Sequence, residues 1–131
     1  MEYIHRKHPE KRLENWLKKN LNLFDPNLRL VGTQFQTSWV IDNTKFLMRF
    51  DIFAEDMAKE KYIIEVKCRA NQYSVTSQLD YYIKKYYDLT GIKCIGILAA
   101  LKFSTATLKE AEKNNIIVWD LSKKYGVKNG S

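Results

Sequence analysis

The stretch RFDIFAEDMAKEKYIIEVKC, residues 49–68, holds two strand-like runs joined by a polar turn around AEDMAKEK. Side chains alternate across a strand with a period of two. In YIIEVKC, Tyr62, Ile64, Val66 and Cys68 therefore form an apolar row, while Glu65 and Lys67 project from the other face. A hairpin centred near Ala58 sets Asp51 opposite Glu65, Phe50 opposite Val66 and Ile52 opposite Ile64. That register pairs apolar with apolar and collects Arg49, Asp51, Glu65 and Lys67 on the opposite face. A two-residue slip keeps these faces, whereas a one-residue slip exchanges them.

Working outward, Pro9 followed by EKRLENWLKKNL predicts a helix, with proline pre-set for its first turn. Leu13, Trp16, Leu17 and Leu21 make its apolar stripe. Asp25-Pro26-Asn27 reads as a turn, and LRLVGTQFQT after it as a strand. KFLMRFDIFA and YIIEVK supply the next two strands. SVTSQLDYYIKKYYDLTG has helical spacing in Val75, Leu79, Tyr82, Tyr86 and Leu89, and Gly91 closes it as a C-cap. KCIGILAA is a nearly continuous apolar run, as expected of a strand covered on both faces. Helix STATLKEAEKN and a short strand in IIVWDL follow. The order αβββαβαβ predicts an α/β fold, a mixed β-sheet flanked by helices. With 131 residues we expect one domain, its core over 9–121 and a tail over 122–131.

An apolar content of 45% and a charged content of 28% fit a soluble globular protein. No apolar run approaches the roughly 20 residues needed to span a bilayer. MEYIHRKHPE has no apolar core of a secretory signal, so the expected address is cytoplasmic, with no membrane partner. Cys68 and Cys94 each lie in an apolar strand-like run and read as buried small hydrophobes. Two cysteines with His5 and His8 are too few for a zinc or iron–sulfur site, which excludes metal–thiolate chemistry. The net charge is +7, with basic pairs at Arg6-Lys7, Lys11-Arg12, Lys18-Lys19, Lys84-Lys85 and Lys123-Lys124. Such a surface suits a polyanion such as nucleic acid, although ordinary solubilising lysine gives the same composition.

Directly opposed carboxylates have Cβ atoms about 4.5–5.5 Å apart, where like charges are destabilising. Asp51 and Glu65 facing each other want a cation between them, from Lys67 in part and from a divalent metal more fully. Hard oxygen ligands point to Mg²⁺ or Mn²⁺ rather than zinc. A lysine beside that metal could orient or help deprotonate an attacking water, and the metal would stabilise charge on a phosphate. The plainer reading is a structural salt bridge of Glu65 with Lys67 or Arg49 on an exposed sheet face. Glu14 lies only about 20° around the helical wheel from Leu21, so it borders the stripe that docks on the sheet. Gln78 and Tyr82 are one helical turn apart on the face of Val75 and Tyr86. An amide buried there would need a partner, which an active site could provide.

The ordered set RLENWL, LRLV at 28–31, RFDIFAED, EVK and QLDYY resembles the PD-(D/E)xK nuclease superfamily, and within it the nuclease domain of the NucS/EndoMS (RecB-like) family. GIKCIGILAA through NNIIVWDL is similar to the family's closing strand–helix–strand, so the resemblance covers about residues 10–121. It implies a restriction-endonuclease-like core and a metal-dependent endonuclease that hydrolyses DNA phosphodiester bonds in repair, recombination or restriction. It also implies roles. Asp51 and Glu65 would coordinate Mg²⁺ or Mn²⁺ with the carbonyl of Val66, and Lys67 would activate water. Glu14 would act through metal-bound water, and Gln78 would position the lysine or the phosphate. Arg49, Arg69, Tyr82, Lys84 and Lys85 would contact the nucleic acid. The DNA could be branched, flapped, mismatched or single-stranded, and a homodimer would bring two sites to a branched substrate.

Phe50 stands before Asp51 where the superfamily's name has proline, a change the superfamily tolerates. The larger departure is extent. Family members that act on mismatched or branched DNA carry an N-terminal DNA-binding and dimerising domain, whereas this chain begins almost at the helix of Glu14. No sliding-clamp-binding motif is visible in the tail. The alternative outside enzymology is a catalytically silent nucleic-acid-binding module that keeps the fold.

Overall fold

A computed structural model of the chain describes the backbone of residues 8–41, 44–72 and 74–125, and the side chains of these except 32–48. His5, the Arg6-Lys7 pair and residues 126–131 of the expected tail lie outside the described residues. The elements are α1 (Pro9–Lys18), a 3₁₀ turn (Leu21–Leu23), β1 (Arg29–Ile41), β2 (Thr44–Glu55) and β3 (Lys61–Ala70). Then come α2 (Ser74–Thr90), β4 (Cys94–Phe103), α3 (Thr105–Lys113) and β5 (Ile117–Asp120). This is the expected αβββαβαβ order.

Local chemistry sets the element ends. Pro9 occupies the start of α1, where its missing N–H costs nothing. At the other end the Asn20 side chain donates to the Trp16 carbonyl at 2.8 Å. The Asp25 carboxylate accepts the Asn27 N–H at 2.9 Å and turns the chain into β1. Gly91 takes φ 77° just past α2, where a side chain would be strained. Ser104 caps α3 by accepting the Thr107 N–H at 3.1 Å. The β2–β3 turn is closed by Glu60 N–H to the Asp56 carboxylate at 3.0 Å and Asp56 N–H to the Glu60 carbonyl at 3.1 Å.

The five strands form one sheet in the order β1-β2-β3-β4-β5. β1–β2 and β2–β3 are antiparallel, β3–β4 and β4–β5 parallel. A parallel neighbour requires a crossover, and α2 and α3 supply the two. On one face Leu13, Leu17 and Leu21 bury against Ile52, Ala54, Tyr62, Ile64, Val66, Ile97 and Ala99. On the other, Leu79, Tyr86 and Ala111 bury against Phe53, Ile63, Leu98 and Ala100. β3 and β4 are thus covered on both sides, which explains their near-continuous apolar sequence. The packed core runs on to Tyr125, whose ring meets Trp16 edge-on at 5.2 Å. Among the described residues no helix is long and apolar enough to cross a membrane.

The β2–β3 ladder pairs Ile52 with Ile64 and Glu55 with Lys61, the register centred on Ala58. It stops at Ile52, whereas β1 and β2 stay paired out to Ile41 and Thr44. One expectation fails at this fork. Phe50 does not lie opposite Val66 on the face of Ile64. Its ring packs on Phe53, Tyr82 and Tyr86, each at 5.8 Å, on the α2 side. Strict alternation assumes a continuous ladder, and β2 changes the face it presents once it leaves β3.

Leu17 is fully buried and ties α1 to the sheet. Leu17→Ala should cost about 2–5 kcal/mol, read as a lowered urea midpoint with an unchanged slope.

Candidate active site

The fork between β2 and β3 brings the acidic side chains together. Where the ladder stops, the Asp51 carboxylate accepts the Val66 N–H at 2.9 Å, in place of a main-chain carbonyl from β2. The side chain therefore satisfies a buried donor and is pulled in beside β3. Glu65 is 7% exposed and its carboxylate takes a hydrogen bond from the Asp51 backbone. The two strands thus hold their acids reciprocally. Lys67, two residues along β3, is half-buried at the mouth of the fork.

α1 crosses this fork because Leu13 and Leu17 dock on the sheet. Glu14 follows Leu13 and is 5% exposed, so the acid that borders the stripe is indeed packed inward. Lys11 lies 3.6 Å from its carboxylate. One turn earlier, Glu10 stands 3.9 Å from the Lys67 ammonium. Glu10 was not singled out from sequence, although its i,i+4 spacing from Glu14 places both acids on one helix face.

Burial pushes the Asp51 carboxyl above its ordinary value, against the Val66 N–H, with the Glu14 charge adding to the rise and Lys67 opposing it. Burial, and then the charge of Asp51, push Glu65 up to about 8, with Lys67 again opposing. Asp51 raises Glu65, Glu14 raises Asp51, and the hard oxygens so gathered suit a hard divalent cation. Among the described residues no three His, Cys, Asp or Glu side chains come together as a metal-binding group. The protein donors would be two carboxylates and the Val66 carbonyl. That sparse set fits Mg²⁺, which retains several waters.

The remaining sequence-predicted residues are spread more widely. Gln78 is exposed, not buried, and donates to the Tyr82 hydroxyl at 3.1 Å. Tyr82 leans toward the fork: burial raises its hydroxyl pKa, and the Glu65 charge adds to the rise. Arg49 is exposed on the part of β2 beyond the ladder, and Arg69 is exposed near the end of β3. Lys84 is held by Asp80 at 2.8 Å. α2 starts at the Lys67 end of the sheet and runs back, so at 1.5 Å per residue Lys84 and Lys85 sit roughly 9–10.5 Å beyond Gln78, away from the fork. Sequence pairing of basic residues carries no information about that direction.

No family model and no curated protein matches the chain. Solved structures do. A repair endonuclease from Pyrococcus abyssi superposes with a TM-score of 0.70 at 18% identity, over 87% of this chain and 47% of its own. An EndoMS–double-stranded DNA complex gives 0.68 at 18%, over 86% and 44%. EndoMS without DNA gives 0.65 at 18%, over 87% and 46%. The chain shares their fold and spans about half their length.

A raised carboxyl pKa stabilises the fold at low pH and withdraws that support as pH rises. Glu65 is protonated below about 4.5 in both states, and the cost of ionising it in the fold grows as pH climbs from there to about 8. In chelator, Glu65→Gln should match the parent near pH 4 and exceed it at pH 9, by on the order of a few kcal/mol. Thermal melts across that range check both sign and window.

Proposed function

We propose that this chain is a metal-dependent endodeoxyribonuclease of the PD-(D/E)xK type, close to the NucS/EndoMS nuclease domain. The observation that carries the reading is the pair of half-buried Asp51 and buried Glu65 beside Lys67, at a strand fork in a fold shared with repair endonucleases. One of those structures is a complex with double-stranded DNA, which supports DNA as the substrate class.

Asp51 and Glu65, with the Val66 carbonyl, would hold Mg²⁺ or Mn²⁺. When bound, the ion supplies Lewis-acid stabilisation of charge developing on the phosphate. Lys67 orients the attacking water and donates to a phosphate oxygen. Glu14, buried behind the pair, adds negative charge that favours cation binding. Gln78 and Tyr82 act as one hydrogen-bonded unit on the α2 wall of the fork, and their exposure suits contact with the strand being cut. The basic surface, with Arg49 and Arg69 nearest the fork, draws in the polyanion. A silent binding module would carry the repulsion of Asp51 and Glu65 with no compensating use.

Labelled single-stranded, duplex, flap, mismatched and junction DNA, incubated with Mg²⁺, Mn²⁺ or EDTA, tests the reading. Cleavage should require the divalent ion and fall at least about a hundredfold in Lys67→Ala and Glu65→Ala, whose melts remain cooperative. Robust cleavage by Lys67→Ala in Mg²⁺ overturns the mechanism.

Metal linkage gives a separate prediction. Saturating Mg²⁺ should stabilise the parent by mass action, by about 2.7 kcal/mol at a hundred times the Kd, read as a raised Tm, and raise the Tm of Asp51→Asn much less.

A further inference from the structure

Beyond Lys67 the surface dips into a cleft of about 200 Å³ lined by Glu10, Lys67, Arg69, Asn71, Gln72 and Val75. Its floor is the end of β3 and the loop into α2, fixed by the Val75 N–H donating to the Gln72 carbonyl at 3.1 Å. Lys67 and Arg69 stand two residues apart on one strand, so they face the same side. Arg69 is exposed and, among the described residues, forms no ion pair. Asn71 and Gln72 are exposed amides, able to donate to an oxyanion. A cation fork, an ammonium and two amides around a small open cleft are the donors a phosphodiester takes.

Among the described residues, the one acid lining this cleft is Glu10. Its carboxylate reaches the Lys67 ammonium only loosely, at 3.9 Å, and is half-exposed. α1 is docked by Leu13 and Leu17, so Glu10 is presented at this spot by the packing of its helix. A carboxylate carries the same charge and kind of oxygen as a phosphodiester.

We propose that this cleft seats the phosphodiester next to the one being cut, and that Glu10 is a tethered anion occupying its place until the strand arrives. The assignment rests on the nuclease reading above. On binding, Arg69, Asn71 and Gln72 close around that group, and its charge displaces Glu10 from Lys67, which is then free to serve the phosphate being cut. Glu10 then swings to solvent, which its half-exposed side chain permits. It makes DNA compete with an internal anion, so weakly held or misplaced strands are rejected first.

The two sides of this competition predict effects of opposite sign. Take the DNA that the parent cleaves best, fluorescein-labelled, and measure binding in chelator and KM against kcat in Mg²⁺. Glu10→Gln should tighten binding and lower KM about two- to five-fold, the range expected for an exposed ion pair, with a smaller change in kcat. Arg69→Ala and Gln72→Ala should weaken binding and raise KM, and Arg69→Ala should flatten the log–log salt dependence by about one. A loosened fold would weaken binding in all three variants, so an opposite sign for Glu10→Gln cannot come from that source. Unchanged or weaker binding by Glu10→Gln, in a protein that still cuts DNA, overturns the tethered anion alone. A parent that neither binds nor cuts any of the DNAs overturns the nuclease reading and this inference with it.

Discussion

The hydrogen bond from the Val66 N–H to the Asp51 carboxylate, 2.9 Å long, is the contact on which the candidate site depends. A regular ladder would give that N–H a main-chain carbonyl. Here a side chain takes it, the ladder ends at Ile52 and Ile64, and β2 is free to carry on with β1 alone. The donor is still satisfied, so the fork incurs no orphaned polar group. In exchange, an acid from one strand is drawn against an acid on the next. Every later feature of the site uses the gap so made: Lys67 at its mouth, α1 across it, Tyr82 on its wall.

The same hairpin shows how surroundings divide the work of acids. Glu55, at the turn end, is ringed by Arg29 at 2.9 Å, Lys59 at 3.7 Å and Lys61. Those hydrogen bonds, Lys61 first and Arg29 next, hold its carboxyl down to about 2. Glu65 is raised to about 8 first by burial and then by the charge of Asp51, which it faces, with Glu14 adding to the rise. Glu55 fastens β1, β2 and β3 together. Glu65 leaves a deficit of positive charge that a cation can fill. Partner cations at one end of the hairpin, and burial beside a second acid at the other, push two carboxyls of one sheet in opposite directions.

Much of the architecture was legible in the sequence. Hydrophobic periodicity, Pro9 and Gly91 mark the first two helices, because backbone sterics and end-capping act locally. The centre of the β2–β3 hairpin at Ala58 followed from matching two apolar rows, since a one-residue slip would expose them. Glu14 on the border of the α1 stripe followed from the helical angle. The carboxylate pair and Lys67 were visible as a pattern, D…ExK, whose meaning depends on two strands lying side by side.

What the sequence determined by itself was the order of elements, the buried faces of β3 and β4, and which acids could share a site. Those properties are set by residues close in the chain. Only the tertiary structure decided that Phe50 turns to the Tyr82–Tyr86 wall, that Gln78 stays exposed, that Asp80 holds Lys84, and that Glu10 reaches Lys67. Each depends on where one packed element sits against another, a distance no local pattern encodes. The ladder breaks at Asp51 because a carboxylate and a backbone N–H, 15 residues apart, meet in a gap that α1 and α2 enclose.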